Sequence, residues 1–416
     1  MQVFQVVPPV VRDIGNGFEI DRDFYGSLSI YMETFESFAL ACPVRTSNVE
    51  NTGLDRCVTM KEIPWGPDRF KFIPLPMAYK PADFVGEVLR IKKLLRSEIE
   101  AADHLIFSPY SLVGDWPTIA VREAVKMGRR YTIEADGVHG DIMRKRHISN
   151  SAWKRWVKRT VEFPAFDASY RYCLSRSSLA IFQGQDVYNA YAEYCPNPQK
   201  LNHHLPIYAG DHISDTQLQR KLANIRNGGP LNIRYAGRAI DMKGPADWIQ
   251  ILSEAARSGV RFDAAWLGDG PMLGDMRAEV SAHQIPGVRL DGPITIRDEL
   301  LDELKAAHIF LFCHKTLESA RILGEALACG APLVGYGSAY PADLVGMHGG
   351  GLFSEVGDVA SVVQNIQELD RDRNRLAQLV EAAARSGKDI DRDVALRRRV
   401  ELVKQQSRRH DELAGS

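Results

Sequence analysis

Four charged side chains have the types and spacing needed to bind a sugar and a diphosphate. Glu318 and Glu325 lie seven residues apart, so they share one face if the segment is helical throughout. Arg238 and Lys243 lie upstream on a glycine-rich turn, 237–244, that follows a predicted strand. Carboxylates accept hydrogen bonds from sugar and ribose hydroxyls, whereas cations bind phosphate oxygens. Together these residues predict a site for a sugar nucleotide.

Alternating apolar runs and amphipathic segments predict the elements that hold these residues. From 230 onward, strands alternate with helices of 10–15 residues, which is typical of βαβ units and a parallel sheet. The predicted strands there are 231–235, 262–267, 288–291, 308–313 and 332–336, and the helices are 244–258, 271–283, 296–306 and 319–329. The first half is predicted to hold strands 38–44, 70–74, 104–108, 131–135 and 179–183 and helices 81–101 and 116–127.

This pattern predicts an α/β protein with two Rossmann-like domains that face each other across a cleft. Residues 1–205 form the first predicted domain, 206–390 the second, and 391–416 a C-terminal helix and tail. Polar segments at 13–28 and 45–69 are interpreted as loops, 196–229 as a linker, and the charged stretch 389–410 as a solvated surface helix. Ligands bind at the carboxyl ends of strands in such sheets, which is where the turns named above fall.

Composition excludes several classes of protein. The 416 residues are 45% hydrophobic and 25% charged, and the net charge of -1 gives no overall attraction to nucleic acid. Six cysteines are scattered without a Cys-x-x-Cys pair, which indicates a reducing compartment. Neither a signal peptide nor an apolar run of roughly 18 residues is present. We therefore expect a cytoplasmic protein.

Each motif also has a structural explanation. The turn 237–244 is as compatible with a plain βα connection carrying two surface cations as with a phosphate site. The Gly268-Asp269-Gly270 turn is equally compatible with structural punctuation. Glu325 is the sharper signal, because apolar residues flank it in a helix that is predicted to be buried, where a carboxylate needs a partner or a ligand.

Taken as a set, these motifs resemble the donor domain of the retaining GT-B glycosyltransferases, specifically family 4. The resemblance covers roughly residues 230–370. It includes Gly237-Arg238, Lys243-Gly244, the turn 268–271, the two-glutamate segment and Gly330-Ala-Pro332. One departure is that six residues separate the glutamates, where the family usually has seven. A branch with Glu-Ser-x-Arg-x-Leu-x-Glu is closer, and Arg321 fits it.

The resemblance implies a role for each matched residue. Arg238 and Lys243 would hold the diphosphate of a UDP- or GDP-linked donor, Glu318 would face the transferred sugar, and Glu325 would bind the ribose. The remaining donor-binding positions implied are Gly237, Gly268, Asp269, Gly292, Ile294, Arg321 and Leu323, with 292–294 near the base.

The first half resembles the family only loosely. His139 and Asp136, after a predicted strand, are placed to contact the sugar or the acceptor, or else form a strand-ending turn. Residues 144–159 carry seven Lys and Arg with Trp153 and Trp156. Such a basic helix suits peripheral contact with an anionic membrane, at the inner face, or it is a solvated helix whose tryptophans pack inward.

The family resemblance implies transfer of a sugar from a nucleotide-sugar to a saccharide or lipid-linked acceptor with retention, in polysaccharide or glycoconjugate biosynthesis. Two alternatives remain: a sugar-nucleotide epimerase on the same scaffold, and a catalytically degenerate partner subunit. No metal site is predicted, because none of the Asp-x-Asp sequences at 21–23, 370–372 and 391–393 follows an apolar strand. The glycine turns lack Gly-x-Gly-x-x-Gly, which argues against a nicotinamide enzyme.

Overall fold

The computed structural model describes residues 1–46, 57–146, 152–202 and 205–414. The chain divides into two compact units. Unit 1 comprises Met1–His204 with Asp393–Ser416, and unit 2 comprises Leu205–Arg392. The chain therefore passes from unit 1 to unit 2 and back again.

Unit 1 is a mainly parallel sheet flanked by helices. Within the described ranges, the strands run in the order β10-β9-β8-β7-β1-β4-β2-β3-β5, and β6 also pairs with β4. The strands are β1 Gln2–Val6, β2 Val11–Asp13, β3 Phe18–Asp21, β4 Ser37–Thr46, β5 Cys57–Thr59, β6 Phe70–Leu75, β7 His104–Phe107, β8 Thr132–Ala135, β9 Leu179–Gln183 and β10 Pro198–Leu201. The helices before the crossing into unit 2 are α1 Arg22–Thr34, α2 Pro81–Ala101, α3 Trp116–Lys126, α4 His139–Arg146, α5 Ala152–Val157, α6 Phe163–Ser175 and α7 Gly184–Tyr191.

Unit 2 is a parallel sheet in the order β13-β12-β11-β14-β15-β16, the 3-2-1-4-5-6 order of a Rossmann domain. Its strands are β11 Leu231–Ala236, β12 Phe262–Leu267, β13 Val288–Gly292, β14 Ile309–Phe312, β15 Leu333–Tyr336 and β16 Gly351–Ser354. Its helices are α8 Asp215–Arg226, α9 Pro245–Arg257, α10 Leu273–Ala282, α11 Arg297–Ala306, α12 Arg321–Ala328, α13 Ala339–Leu344, α14 Val359–Arg371 and α15 Arg373–Lys388.

The sheet of unit 2 is built from apolar strands whose residues are buried between helices. Every residue of β14 and β15 is buried, as expected for strands covered by helices on both faces. Trp248 of α9 and Trp266 of β12 are fully buried and meet edge to face with ring centroids 5.5 Å apart. The strands predicted between 231 and 336 are confirmed, with ends that shift by at most one residue.

The last helix, α16 Arg392–Ala414, is anchored to unit 1 and is not the solvated surface helix that we expected. Leu396, Val400 and Val403 are buried in the same apolar cluster as residues of β1 and β4. Arg399 is buried as well, where it binds Glu134 of β8 through two hydrogen bonds. None of the described helices is long and apolar enough to cross a membrane.

Other sequence predictions need correction. The segment 13–28 is not a loop, because it contains β3 and the start of α1, which Asp21 caps through the backbone N–H of Phe24. The predicted linker 196–229 contains β10 and α8, and α8 begins with a Ser214–Gln217 capping box. The predicted loop 45–69 begins with the end of β4, and residues 47–56 lie outside the described ranges. Strand β5 and a 3₁₀ turn at Met60–Glu62 follow.

Candidate functional site

The candidate site lies where the strand order of unit 2 reverses. Strand β11 lies between β12 and β14, so the turn after β11 and the loop after β14 meet at the carboxyl edge of the sheet. Gly244 marks this meeting point. Its φ is +66°, and a Cβ there would lie 2.2 Å from the carbonyl oxygen of Cys313. Only a glycine at this position lets the turn after β11 pack directly against the residue that follows β14.

Lys243 and Glu318 form an ion pair at this junction. The Nζ of Lys243 lies 2.5 Å from Oε1 of Glu318, and each side chain is 16% exposed. Glu318 precedes α12, which begins only at Arg321, so the segment is not helical throughout and the two glutamates do not share a helical face. Because Glu318 lies in an extended segment, its carboxylate meets the cation on the neighbouring turn.

A buried histidine completes this cluster. Nδ1 of His314 lies 3.6 Å from Oε1 of Glu318, and its Nε2 lies 2.9 Å from the hydroxyl of Tyr235. Burial, with the nearby charge of Lys243, holds the pKa of His314 well below its ordinary value. Burial also raises the pKa of Tyr235 well above its ordinary value. Both side chains are therefore neutral near pH 7, so the charged groups of the cluster are Lys243 and Glu318.

A second ion pair fixes the loop after β14. Nζ of Lys315 lies 2.7 Å from one carboxylate oxygen of Asp247, and the hydroxyl of Tyr336 donates to the other at 2.8 Å. The backbone N–H of Lys315 donates to the carbonyl of Met242, the residue before Lys243. The loop and the turn that carry the Lys243–Glu318 pair are thus connected by backbone and by side chains. Neither His314 nor Lys315 was identified from the sequence, although both directly follow a predicted strand.

The turns after β11 and β12 pack backbone against backbone. A Cβ on Gly268 would lie 1.9 Å from the carbonyl oxygen of Gly237, so the glycine is required by close approach. Asp269 accepts a backbone hydrogen bond from Ala239 at 2.8 Å. Arg238, on the outer side of this turn, is exposed, and its guanidinium makes no hydrogen bond or ion pair with the part of the chain that the structure describes.

Glu325 lies on α12 and is buried, as predicted, and it has a protein partner. NH1 of Arg297 lies 2.6 Å from Oε1 of Glu325. The other end of this guanidinium binds the carboxylate of Asp211 and the carbonyl of Pro206. Arg297 was not identified from the sequence, because it lies 28 residues from Glu325 and no motif links the two positions.

The remaining positions that were predicted to bind the donor occupy different parts of unit 2. Leu323 is buried in the core, whereas Arg321 is exposed at the first turn of α12, which has no side-chain cap. Gly292 ends β13 with a φ of +85°, and Ile294 packs against the small apolar cluster of Ala236, Ala265 and Leu267. These two residues lie two strands away from the turn after β11.

His139 belongs to unit 1, unlike the other candidate catalytic residues. It is the first residue of α4, and its Nε2 lies 3.4 Å from Oδ1 of Asp136. Its ring contacts Tyr110 and Tyr170 edge to face. Among the described residues, no group of three or more His, Cys, Asp or Glu is arranged to hold a metal ion. Asp21 is the last residue of β3, and its carboxylate caps α1.

Solved structures show that the fold is GT-B. The crystal structure of Anabaena HepE in complex with UDP matches 98% of this chain and 100% of its own, with a TM-score of 0.65 and 12% identity. Sucrose-phosphate synthase from Thermosynechococcus elongatus matches all of both chains, with a TM-score of 0.64 and 13% identity. The prediction of a GT-B fold with two Rossmann-like units is thereby confirmed.

The sequence of unit 2 identifies its domain type. Residues 219–386 match the family model of Glycosyl transferases group 1, so the chain carries a domain of that kind. A curated relative, 2-deoxystreptamine glucosyltransferase of Streptomyces kanamyceticus, is 28% identical over 166 residues. This match covers 39% of the present chain and 42% of the length of that enzyme.

Proposed function

We propose that this protein is a glycosyltransferase that transfers a sugar from a nucleoside diphosphate sugar bound by unit 2. The observation that carries the proposal is the Lys243–Glu318 ion pair, which lies with the exposed Arg238 where the strand order reverses in a group 1 domain. Diphosphates bind such turns through cations and backbone N–H groups. Crystals of HepE contained UDP or UDP-glucose, which favours a uridine donor here.

The roles proposed for the cations follow from their placement. Negative charge develops on the leaving diphosphate during transfer, so Arg238 and Lys243 stabilise the transition state more than the ground state. Glu318 holds the ammonium of Lys243 in place and faces the transferred sugar. The first turn of α12, which has no side-chain cap and begins three residues beyond Glu318, adds backbone donors.

The donor's other end is assigned to Glu325 and to 292–294. Glu325 accepts hydrogen bonds from the ribose, and the segment after β13 lies beside the base. We propose that transfer proceeds with retention and without a metal, as in family 4, and that the leaving phosphate takes the acceptor proton. The acceptor is a saccharide or a lipid-linked saccharide, for which His139 in unit 1 is the candidate contact.

Titration calorimetry tests the donor site. UDP, GDP and ADP are titrated without metal into wild type and into the double variant Arg238→Ala/Lys243→Ala. The matched control is Arg257→Ala/Arg261→Ala, which removes two exposed arginines of unit 2 from the other end of α9 and the start of β12. We expect one nucleotide to bind wild type and the control alike, and the site variant at least about tenfold more weakly. Absence of binding by all three nucleotides refutes the proposal.

We further propose that unit 1 contacts an anionic membrane through 144–159, of which 147–151 lie outside the described residues. The indoles of Trp153 and Trp156 stack with ring centroids 5.1 Å apart, and these residues are 69% and 54% exposed, so they do not pack inward. No acidic residue occurs between Asp141 and Glu162. Exposed tryptophans beside cations suit the headgroup region of an anionic bilayer.

Vesicle flotation tests this contact. Wild type should float with vesicles of phosphatidylcholine and phosphatidylglycerol, and not with phosphatidylcholine alone. Trp153→Ala/Trp156→Ala should abolish flotation without lowering the melting temperature, because both side chains are exposed. Retained flotation of this variant would contradict the proposed contact.

A further inference from the structure

Arg297 connects Glu325 to the segment 206–211, which lies near the start of unit 2. It is the first residue of α11, and its guanidinium binds three acceptors: Glu325 at 2.6 Å, the carbonyl of Pro206 at 2.6 Å, and the carboxylate of Asp211. The ring of Tyr208 lies 5.7 Å from its Cζ. The planar fork of a guanidinium fixes the directions of these hydrogen bonds, so the orientation of Arg297 is determined from several sides.

Charge and burial make this network dependent on the arginine. The side chains of Glu325 and Asp211 are only 9% and 12% exposed, and Arg297 is the cation that the structure shows between them. Burial alone would lower the pKa of Arg297, but the hydrogen bonds and charges of these two carboxylates raise it above its ordinary value. Without the guanidinium, the two partly buried carboxylates would lose this shared cation, and Oε1 of Glu325 would lose the hydrogen bond that Arg297 donates to it.

The network reaches the segments where the chain enters and leaves unit 2. Pro206 and Asp211 lie in the first seven residues of the unit, and Arg392 is its last residue. The guanidinium of Arg392 lies 5.1 Å from the ring of Tyr208, on which Arg297 also rests. The orientation of Glu325 therefore depends on the segments where the chain enters and leaves unit 2, as well as on α12.

We propose that Arg297 is a positioning residue, which holds the carboxylate of Glu325 in the orientation that accepts hydrogen bonds from the ribose of the donor. This inference rests on the proposed function. A carboxylate offers about four lone-pair positions, so the bond to Arg297 leaves acceptor capacity for hydroxyl groups. Arg297 does not touch the ribose itself. It determines how strongly the site distinguishes a ribonucleotide from a 2′-deoxyribonucleotide.

Paired titrations of UDP and 2′-deoxy-UDP measure this discrimination, or the guanine pair if GDP is the nucleotide bound. Because an unmade hydrogen bond to a charged group costs about 1.5–3 kcal/mol, we expect wild type to prefer UDP by at least about tenfold. Arg297→Met should reduce this preference to about threefold or less, while the Kd of 2′-deoxy-UDP changes little. Arg297→Lys keeps the charge but not the fork, so its preference should be intermediate.

Arg234→Met is the matched control. Arg234 of β11 is a more deeply buried arginine of unit 2 that also bridges two carboxylates, Asp263 and Glu303. Its loss should lower stability without changing the preference for UDP. The inference is overturned if Arg297→Met prefers UDP over 2′-deoxy-UDP as strongly as wild type does. If Arg297→Met does not fold, the same result in Arg297→Lys overturns it. It is also overturned if Arg234→Met reduces the preference for UDP as much as Arg297→Met does. Equal affinity of wild type for both nucleotides overturns it while leaving the proposed function intact, whereas absence of nucleotide binding refutes both.

Discussion

Replacing Arg399 with methionine should strongly destabilise unit 1. The guanidinium binds both carboxylate oxygens of Glu134, and NH1 donates to Oγ of Ser27 at 2.9 Å. Gln5 and Tyr31 donate to the same carboxylate, and Glu134 is only 6% exposed, so solvent cannot compensate fully for the lost cation. Breaking a buried pair by removing one partner costs about 3–5 kcal/mol.

The same helix provides a control for this magnitude. Arg397 pairs with Glu33 at 2.8 Å, but these side chains are 60% and 54% exposed. Exposed pairs contribute about 0–1 kcal/mol, so Arg397→Met should be nearly neutral. For a domain of 150–250 residues, 1 kcal/mol shifts the melting temperature by about 2–4 °C, which predicts a loss of about 6–20 °C for Arg399→Met.

Differential scanning calorimetry of the two variants and of the double variant Arg399→Met/Glu134→Leu tests the reasoning. The double variant should be more stable than Arg399→Met alone, because it leaves no buried charge without a partner. A loss of less than about 1 kcal/mol in Arg399→Met, or similar losses at 397 and 399, would refute the argument that burial determines the cost.

Three further predictions concern unit 2. Burial lowers the pKa of Lys221 to about 7, so between pH 7 and pH 10.5 the unfolded chain binds a proton that the folded chain does not. In urea unfolding, the free energy of unfolding of wild type relative to Lys221→Met should therefore rise by about 1 kcal/mol per pH unit. A difference that stays constant with pH would contradict this. Gly268→Ala forces the turns after β11 and β12 apart, so it should lower the stability of the fold by about 2 kcal/mol and weaken UDP binding. The control Gly274→Ala, which has open space at its Cβ, should be tolerated. Equal melting temperatures of the two variants would show that the turns move apart at no cost. Lys243→Met leaves Glu318 without its cation and should weaken UDP binding at least about tenfold by calorimetry, and unchanged affinity would exclude Lys243 from the diphosphate site.

The sequence predicted the sheet of unit 2 well because its strands are short, continuous apolar runs between glycine turns. The first half was harder. The helix α1 begins with Arg-Asp-Phe-Tyr-Gly, whose polar start and glycine conceal the buried face of Leu28, Ile30 and Tyr31. The helix α8 was not predicted from the sequence, because its mean hydropathy is low and only three of its residues are buried.

The candidate site was predictable in its residue types but not in its pairings. Arg238, Lys243 and Glu318 were identified from motifs, yet the contact between Lys243 and Glu318 joins residues 75 positions apart and depends on the strand order. The apolar spacing of 319–329 also did not mark where α12 begins, so it could not show that Glu318 lies outside the helix. Arg297 could not be predicted, because its importance comes from three acceptors that only the folded chain brings together.

The double passage of the chain between the units has a consequence for biosynthesis. Glu134 is made 265 residues before Arg399, its partner. At about 5–20 residues per second, a ribosome needs roughly 15–50 s to add the intervening chain. During that interval the carboxylate cannot be buried with its cation, and the apolar cluster lacks Leu396, Val400 and Val403. Unit 2 is complete on the nascent chain before unit 1, so the first unit to be synthesised is the last to reach its native core.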